Sequence, residues 1–204
     1  MTLRQYEAIL PSKRLAHQKY IFMSNEPAAM YRLASHYNGY FNYTFTYKLD
    51  SDITWRFFVV RNKKGDIVAP KVDVKWIDVN DMEPISDDIK RKLQTKNKAA
   101  AWHVSHCHTP SRREEFVEKL IPELSRYNLN IDITGFCGDR YCQLWGEECH
   151  VAIETDYYFY LAFENSMCDD YVTEKILTAT QHYSIPIVFG GANYSRFDFP
   201  YWYN

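Results

Sequence analysis

Tyr158-Phe-Tyr-Leu-Ala-Phe-Glu-Asn-Ser-Met-Cys-Asp-Asp-Tyr-Val-Thr-Glu-Lys175 is the stretch on which the fold turns. Its first part belongs to an apolar run from Tyr157 to Phe163, the length of a buried strand. A polar cluster follows at once, Glu164-Asn165-Ser166 and then Asp170 to Lys175. A helix is expected over Thr173–His182, and a further strand over Ile185–Phe189, closed by Gly190-Gly191. Strand, polar turn, helix and strand in this order make a unit of parallel, Rossmann-like sheet. Ligands of such sheets bind outside the carboxyl ends of the strands, where a helix start attracts phosphate. Lys175 adds a full charge there, and Glu174 can accept hydroxyls of a ribose or sugar. A plain helix start fits the same residues, with Thr173 as cap and Glu174 complementing the dipole, and spacing does not choose between them. The chain has no G-x-G-x-x-G and no Walker sequence, so ordinary dinucleotide and nucleoside-triphosphate readings fail.

The same alternation extends backwards to residue 99. Ala99–Ser105 reads as a strand. Ser111 is expected to cap a helix with Phe116, Val117, Leu120 and Leu124 on one face, and Glu114 to complete a capping box. Pro122 is expected to break or kink that helix. Ile131–Thr134 is a strand, followed by a Gly- and Cys-containing loop over 135–149. Further upstream, residues 20–24 read as a short strand that stops at Asn25-Glu26-Pro27, which leaves Glu26 in a loop at a strand's carboxyl end. Phe41, Tyr43, Phe45 and Tyr47 alternate with Asn and Thr, a period-2 strand pattern, and another strand is expected over roughly 55–60. Residues 78–98 are charged, contain Pro84 and lack a sustained apolar period, which predicts a linker with some helix.

Composition narrows the class. The 204 residues are 46% hydrophobic and 25% charged, the balance of a soluble globular protein with a sizeable core. A formal net charge of −2 argues against a dedicated nucleic-acid binder, which needs a concentrated basic face. Aromatics at 17% suit stacking on sugars or bases, and equally suit Tyr-rich cores. There is no run of 18 apolar residues, and Met1 to Lys19 carry charge throughout, so no anchoring or signal segment is expected within these residues. Five cysteines (Cys107, Cys137, Cys142, Cys149, Cys168) and two sequons, at Asn42 and Asn193, tilt the compartment toward the secretory lumen. At least two of Cys137, Cys142, Cys149 and Cys168 are expected to pair, and the odd cysteine to stay free or find a partner outside the chain.

The stretch from Tyr158 to Lys175 closely resembles the signature of the α1,3/1,4-fucosyltransferases, glycosyltransferase family 10. The likeness continues in order along nearly the whole chain. Phe41 to Ile53 looks like the family's aromatic–Thr–Asp-Ser-Asp segment; Ala101 to Cys107 and Ser111-Arg-Arg113 look like its first donor-domain strand and helix; Ile185 to Ser195 looks like its closing strand. The cysteine loop over 137–149 with Cys168 is most similar to invertebrate members. The resemblance implies an α/β GT-B fold of two Rossmann-like domains with parallel sheets, here incomplete at both ends. Residues 1–80 would be the C-terminal part of the acceptor-binding domain, 81–98 a linker, and 99–204 the N-terminal part of the GDP-fucose-binding domain.

The implied activity is inverting transfer of L-fucose from GDP-fucose to the 3-hydroxyl of GlcNAc in an N-glycan acceptor. By the resemblance Glu26 is the general base, and Ser105, Arg113, Tyr160, Asn165, Tyr171, Glu174 and Lys175 line the GDP-fucose site. No metal and no cofactor is expected, because Arg113 and Lys175 can cradle the pyrophosphate where other transferases use an ion. The parent protein is expected in the Golgi lumen, at the cisterna membrane, anchored by a segment this chain lacks. The chain departs from the family pattern where Trp55-Arg-Phe57-Phe58 replaces a Pro-Tyr-Gly segment and where His106 stands for Asn. Two rival readings are a catalytically weak glycan-binding relative and a metal-dependent transferase using Asp50 and Asp52. The cluster His103, His106, Cys107 and His108 lacks a second ligand pair at supporting spacing and reads as a strand end beside the donor pocket, with Cys107 in a disulfide or a core position.

Overall fold

In the computed structural model of the protein the described residues are 4–6, 11, 13–139 and 147–197, with Arg4–Tyr6 described by backbone alone. Five short strands open the fold: β1 (Arg4–Tyr6), β2 (Ile21–Ser24), β3 (Tyr31–Leu33), β4 (Tyr43–Thr46) and β5 (Ile53–Thr54). β1 pairs with β3, and β2, β4 and β5 form a three-stranded sheet in that order, every pair parallel. β2 ends at Ser24, so Glu26 sits in the loop at its carboxyl end, as Pro27 requires.

The strand expected over 55–60 does not form. The Trp55 N–H still donates to the Thr46 carbonyl at 2.7 Å, but the chain then leaves the sheet. Phe58 turns inward instead, packing with Val172, Ile176 and Phe197. Burial of that ring outweighs the few ladder bonds a longer strand would add. A two-stranded antiparallel ribbon follows, β6 (Val60–Arg61) with β7 (Ile67–Ala69). Helix α1 (Asp87–Thr95) lies within the stretch expected as a linker with some helix, capped by the Ser86 Oγ accepting from the Ile89 N–H at 3.3 Å.

The second half is a four-stranded parallel sheet of β8 (Lys98–His103), β9 (Ile131–Thr134), β10 (Tyr157–Phe163) and β11 (Ile185–Phe189), in the order β11-β10-β8-β9. Helices α2 (Arg113–Ser125), α3 (Glu147–Asp156) and α4 (Lys175–Gln181) make the three crossovers. Both faces are covered, which is why β10 reads as an unbroken apolar run. Alternate side chains serve opposite cores. Ala101, Tyr160 and Ala162 pack with Ile153 of α3 and Ala179 of α4, whereas Trp102, Leu161 and Phe163 pack with Val117 of α2. The α/β class with parallel sheets is therefore as the sequence indicates.

Three local expectations are corrected. Ser111 does not cap α2; its buried Oγ donates to the Glu164 carbonyl at 2.7 Å, and its N–H donates to the Asn165 carbonyl at 3.0 Å. Glu114 reaches back to the Thr109 N–H (3.0 Å) and Oγ (2.9 Å) rather than to Ser111, while Arg112 takes the N-cap position at φ 54°. Of the break or kink expected at Pro122, the break does not occur, since α2 continues to Ser125. Thr173 likewise does not cap α4, which starts two residues later at Lys175. At Ser111 and Thr173 a side chain suited to a helix start is drawn to a buried carbonyl or carboxylate, where an unpaired group costs more. Helix α3 was not foreseen, because among its described side chains only Ile153 is deeply buried and no apolar face stands out.

Cys107 and Cys137 form a disulfide, joining the loops that leave the adjacent strands β8 and β9. Cys149 is also disulfide-bonded, Cys168 is a free thiol, and Cys142 lies outside the described residues. Cys137 thus pairs outside the expected group of four, since neighbouring strand ends bring its Cα within 5.4 Å of that of Cys107. Lys96, 3% exposed, ties the sheet's opposite end together by donating to the carbonyls of Ile153 (3.1 Å), Glu154 (2.8 Å) and Tyr157 (2.8 Å).

Candidate active site

In the strand order β11-β10-β8-β9, the chain runs outward from β8 to β9, then returns across β8 to β10. The direction of winding reverses between β8 and β10, so a crevice opens at their carboxyl ends. A cavity of about 180 Å³ lies there, lined by the residues following each of the two strands. Ser105 and His106 come from the β8 side, and Asn165, Tyr171, Thr173, Glu174 and Lys175 from the β10 side. Tyr160 rises from within β10, Arg113 from the start of α2, and Glu26 reaches in from the loop after β2. All eight site residues expected from the sequence meet around this one space, although they span positions 26 to 175.

Their environments differ. Arg113 is 3% exposed; one guanidinium nitrogen donates to the Phe163 carbonyl, another to the His106 carbonyl at 3.4 Å, and Nε has no partner. Burial works against its charge and pulls the guanidinium below its ordinary pKa, opposed by Glu164 and Glu114. Arg112, in contrast, pairs with Glu115 on the surface, so the structure directs only one of the two adjacent arginines into the cavity. Lys175 donates to Glu164 Oε2 at 3.1 Å and to Thr173 Oγ at 2.6 Å, and lies 3.5 Å from Glu174. Tyr160 is buried, and burial raises its phenol well above the ordinary value, opposed by hydrogen bonding to Thr178 and to the His103 backbone. Asn165 Oδ1, among the lining residues, is buried without a partner. Such groups are costly when idle and suit a polar ligand. The sum is a mixed-charge cavity with two fixed cations.

Residues that the sequence reading did not assign a role in the site stand in the cavity wall or directly behind it. Glu164, 1% exposed, accepts from the Thr173 N–H at 2.8 Å and anchors Lys175. Its place directly after an apolar strand was a signal, but not that it would turn inward. His103 and His150 line one wall, and Phe57 another. His103 Nδ1 bonds Thr134 Oγ at 3.1 Å while Nε2 is buried without a partner. Asp52 is committed elsewhere: its carboxylate accepts the Thr44 N–H at 2.8 Å and Oγ at 2.9 Å, and Asp50 faces Lys48 at 3.9 Å. On the far side of Glu26 lies a larger, mostly apolar cavity of about 550 Å³, bounded by β2, β3 and Tyr37 and Phe41.

The family model described as glycosyltransferase family 10 (fucosyltransferase), C-terminal, matches residues 93–202, and that of the fucosyltransferase N-terminal region matches residues 2–58. The chain belongs to glycosyltransferase family 10. Alpha-(1,3)-fucosyltransferase C of Drosophila melanogaster is 42% identical over 193 residues, covering 92% of this chain and 43% of that protein. Alpha-(1,3)-fucosyltransferase fut-1 of Caenorhabditis elegans is 49% identical over 94 residues, covering 46% of this chain and 21% of that protein. The chain thus spans under half the length of these relatives. A crystal structure titled as an alpha1,3-fucosyltransferase overlaps 86% of this chain and 53% of its own at 20% identity and a TM-score of 0.46, a likeness too loose to add to the assignment. Similarity to invertebrate members agrees with the sequence motifs.

Proposed function

We propose that this family 10 chain transfers L-fucose from GDP-fucose to the 3-hydroxyl of GlcNAc in a glycoprotein glycan, with inversion at the fucose C1. The observation that carries the reading is the convergence of Glu26 and the seven expected donor-site residues on one cavity at the reversal point of the parallel sheet. In this reading residues 1–80 and 99–204 contribute to the acceptor-binding and donor-binding halves of a GT-B fold. The acceptor hydroxyl approaches from the Glu26 side and its oxygen attacks C1 as the bond from C1 to the β-phosphate oxygen breaks. Glu26 takes the hydroxyl proton, and GDP leaves carrying the bond electrons. Arg113 and Lys175 supply fixed positive charge where the leaving diphosphate becomes more negative, which lowers the barrier without reorganisation. Glu26 borders both cavities, so it is placed to act between donor and acceptor.

A lumenal Golgi location fits this chemistry, supported by the Cys107–Cys137 disulfide and by exposed sequon residues Asn42 and Asn193. The test is turnover of GDP-fucose by the full-length protein on a panel of N-glycan and N-acetyllactosamine acceptors, with products read by mass spectrometry and with EDTA in parallel. A fucosylated GlcNAc product formed equally well in EDTA supports the reading. Absence of any fucosylated product overturns it, and activity lost in EDTA and restored only by a metal ion would reassign the leaving-group role of Arg113 and Lys175.

A further inference from the structure

The Tyr171 hydroxyl stands 3.1 Å from Glu26 Oε2, a bond between residues 145 positions apart that joins the loop after β10 to the loop after β2. Glu26 is otherwise held by its backbone. Ser24 Oγ accepts the Glu26 N–H at 3.2 Å and donates to the Glu26 carbonyl at 2.8 Å, which fixes the turn but not the side chain. Among the described residues, Tyr171 is the hydrogen-bond partner of the Glu26 carboxylate. A glutamate has three rotatable side-chain bonds, so its carboxylate needs such a contact to stay in one orientation.

Tyr171 is well suited to be the fixed end. It is 2% exposed, and its ring is packed edge-on by Tyr47 at 4.9 Å and Phe57 at 6.0 Å. Its N–H donates to the Cys168 carbonyl at 3.3 Å. Burial first, then the charge of Glu26, drives its phenol far above the ordinary value, so the hydroxyl keeps its proton and acts only as a donor toward the carboxylate. The bond occupies Oε2 and leaves Oε1 to receive a proton.

We infer that Tyr171 is a positioning residue for the base Glu26: its hydroxyl aims the carboxylate across the interface between the two sheets. This rests on the proposed role of Glu26, and differs from the donor-contact role that the family resemblance implies for Tyr171. It accounts for why a phenol, rather than a charged group, sits at the junction of donor cavity and base loop. A phenol orients the carboxylate without the fixed positive charge that would oppose its protonation.

The experiment compares Tyr171→Phe, Glu26→Gln and the double variant in the full-length enzyme, measuring kcat, acceptor KM and GDP-fucose Kd by calorimetry. A positioning role predicts roughly a tenfold fall in kcat for Tyr171→Phe with GDP-fucose Kd within about twofold of the parent. It also predicts that Tyr171→Phe adds no further loss in the Glu26→Gln background. The inference is overturned if Tyr171→Phe weakens GDP-fucose while kcat holds, or if the two losses multiply in the double variant. Near-normal turnover of Glu26→Gln would remove the base assignment itself, and with it the tether. Loss in Glu26→Gln but none in Tyr171→Phe would remove the tether alone. Should Tyr171→Phe fail to fold, 3,5-difluorotyrosine at position 171 keeps the packing and alters only the strength of the donor. A kcat unmoved by that replacement also overturns the inference.

Discussion

Replacing Glu164 with Gln keeps the side-chain volume and removes one charge from a carboxylate buried directly behind the cavity wall. The carboxylate accepts from the Thr173 N–H at 2.8 Å, from Thr173 Oγ at 3.0 Å and from Lys175 Nζ at 3.1 Å. A Gln oxygen can retain both Thr173 donors as neutral hydrogen bonds, each weaker by about 1 kcal/mol than its charge-assisted counterpart. The amide NH2 then faces the Lys175 ammonium, donor against donor, and that contact is lost. A buried ion pair broken on one side costs about 3–5 kcal/mol. Lys175 is 22% exposed and has Glu174 at 3.5 Å as a second partner, so its share falls to about 1–2 kcal/mol. The expected loss is about 3–4 kcal/mol, or roughly 6–16 °C in Tm for a domain of this size. Because Lys175 loses its anchor, GDP-fucose affinity should fall about tenfold in the same protein. Thermal unfolding followed by calorimetric titration of the folded variant reads both quantities. A Tm within 2 °C or so of the parent, with donor affinity unchanged, would refute the view that Glu164 organises this wall.

Lys96→Met should destabilise the protein by about 3–5 kcal/mol, since it leaves the carbonyls of Ile153, Glu154 and Tyr157 without their shared donor; urea unfolding would show it as a lowered midpoint. Burial, followed by the facing charge of His150 or His182 respectively, depresses His103 and His150 below the ordinary value of 6.5. The unfolded chain therefore binds protons that the folded chain refuses, so their contribution is present above about pH 6.5 and is lost as the pH falls through their lowered values. Tm measured from pH 7.5 to 5 should drop on acidification, and His103→Gln should flatten that slope. Enzymatic removal of N-glycans from the protein produced in the secretory pathway should lower its apparent mass, and Asn193→Gln should remove part of that shift, because the Asn193 Oδ1 is engaged by Ser195 while the residue remains exposed.

Much of the second sheet was legible before any coordinates. The boundaries of β10 and β11 follow from apolar runs flanked by polar turns, because a strand covered on both faces leaves little room for a polar side chain. At the sheet edge, β9 instead alternates Ile131-Asp132-Ile133-Thr134. Glu26 in a loop was equally legible, since Pro27 constrains its predecessor locally. The reading faltered where a residue's local preference competed with a distant partner. Ser111 and Thr173 look like caps and serve instead as donors to Glu164, through its carbonyl and its carboxylate. Phe58 looks like part of a strand and becomes core.

The sequence by itself determined the α/β class, the family, and which residue types stand at which strand ends, because periodicity, proline geometry and ordered motifs are properties of neighbours along the chain. The tertiary structure alone decided that Glu26 meets Tyr171, that Glu164 restrains Lys175, and that Cys137 takes Cys107. Each is a contact between segments that the winding of the sheet brings together, and the choice rests on burial: an unpaired charge or carbonyl removed from water costs several times what a surface contact returns.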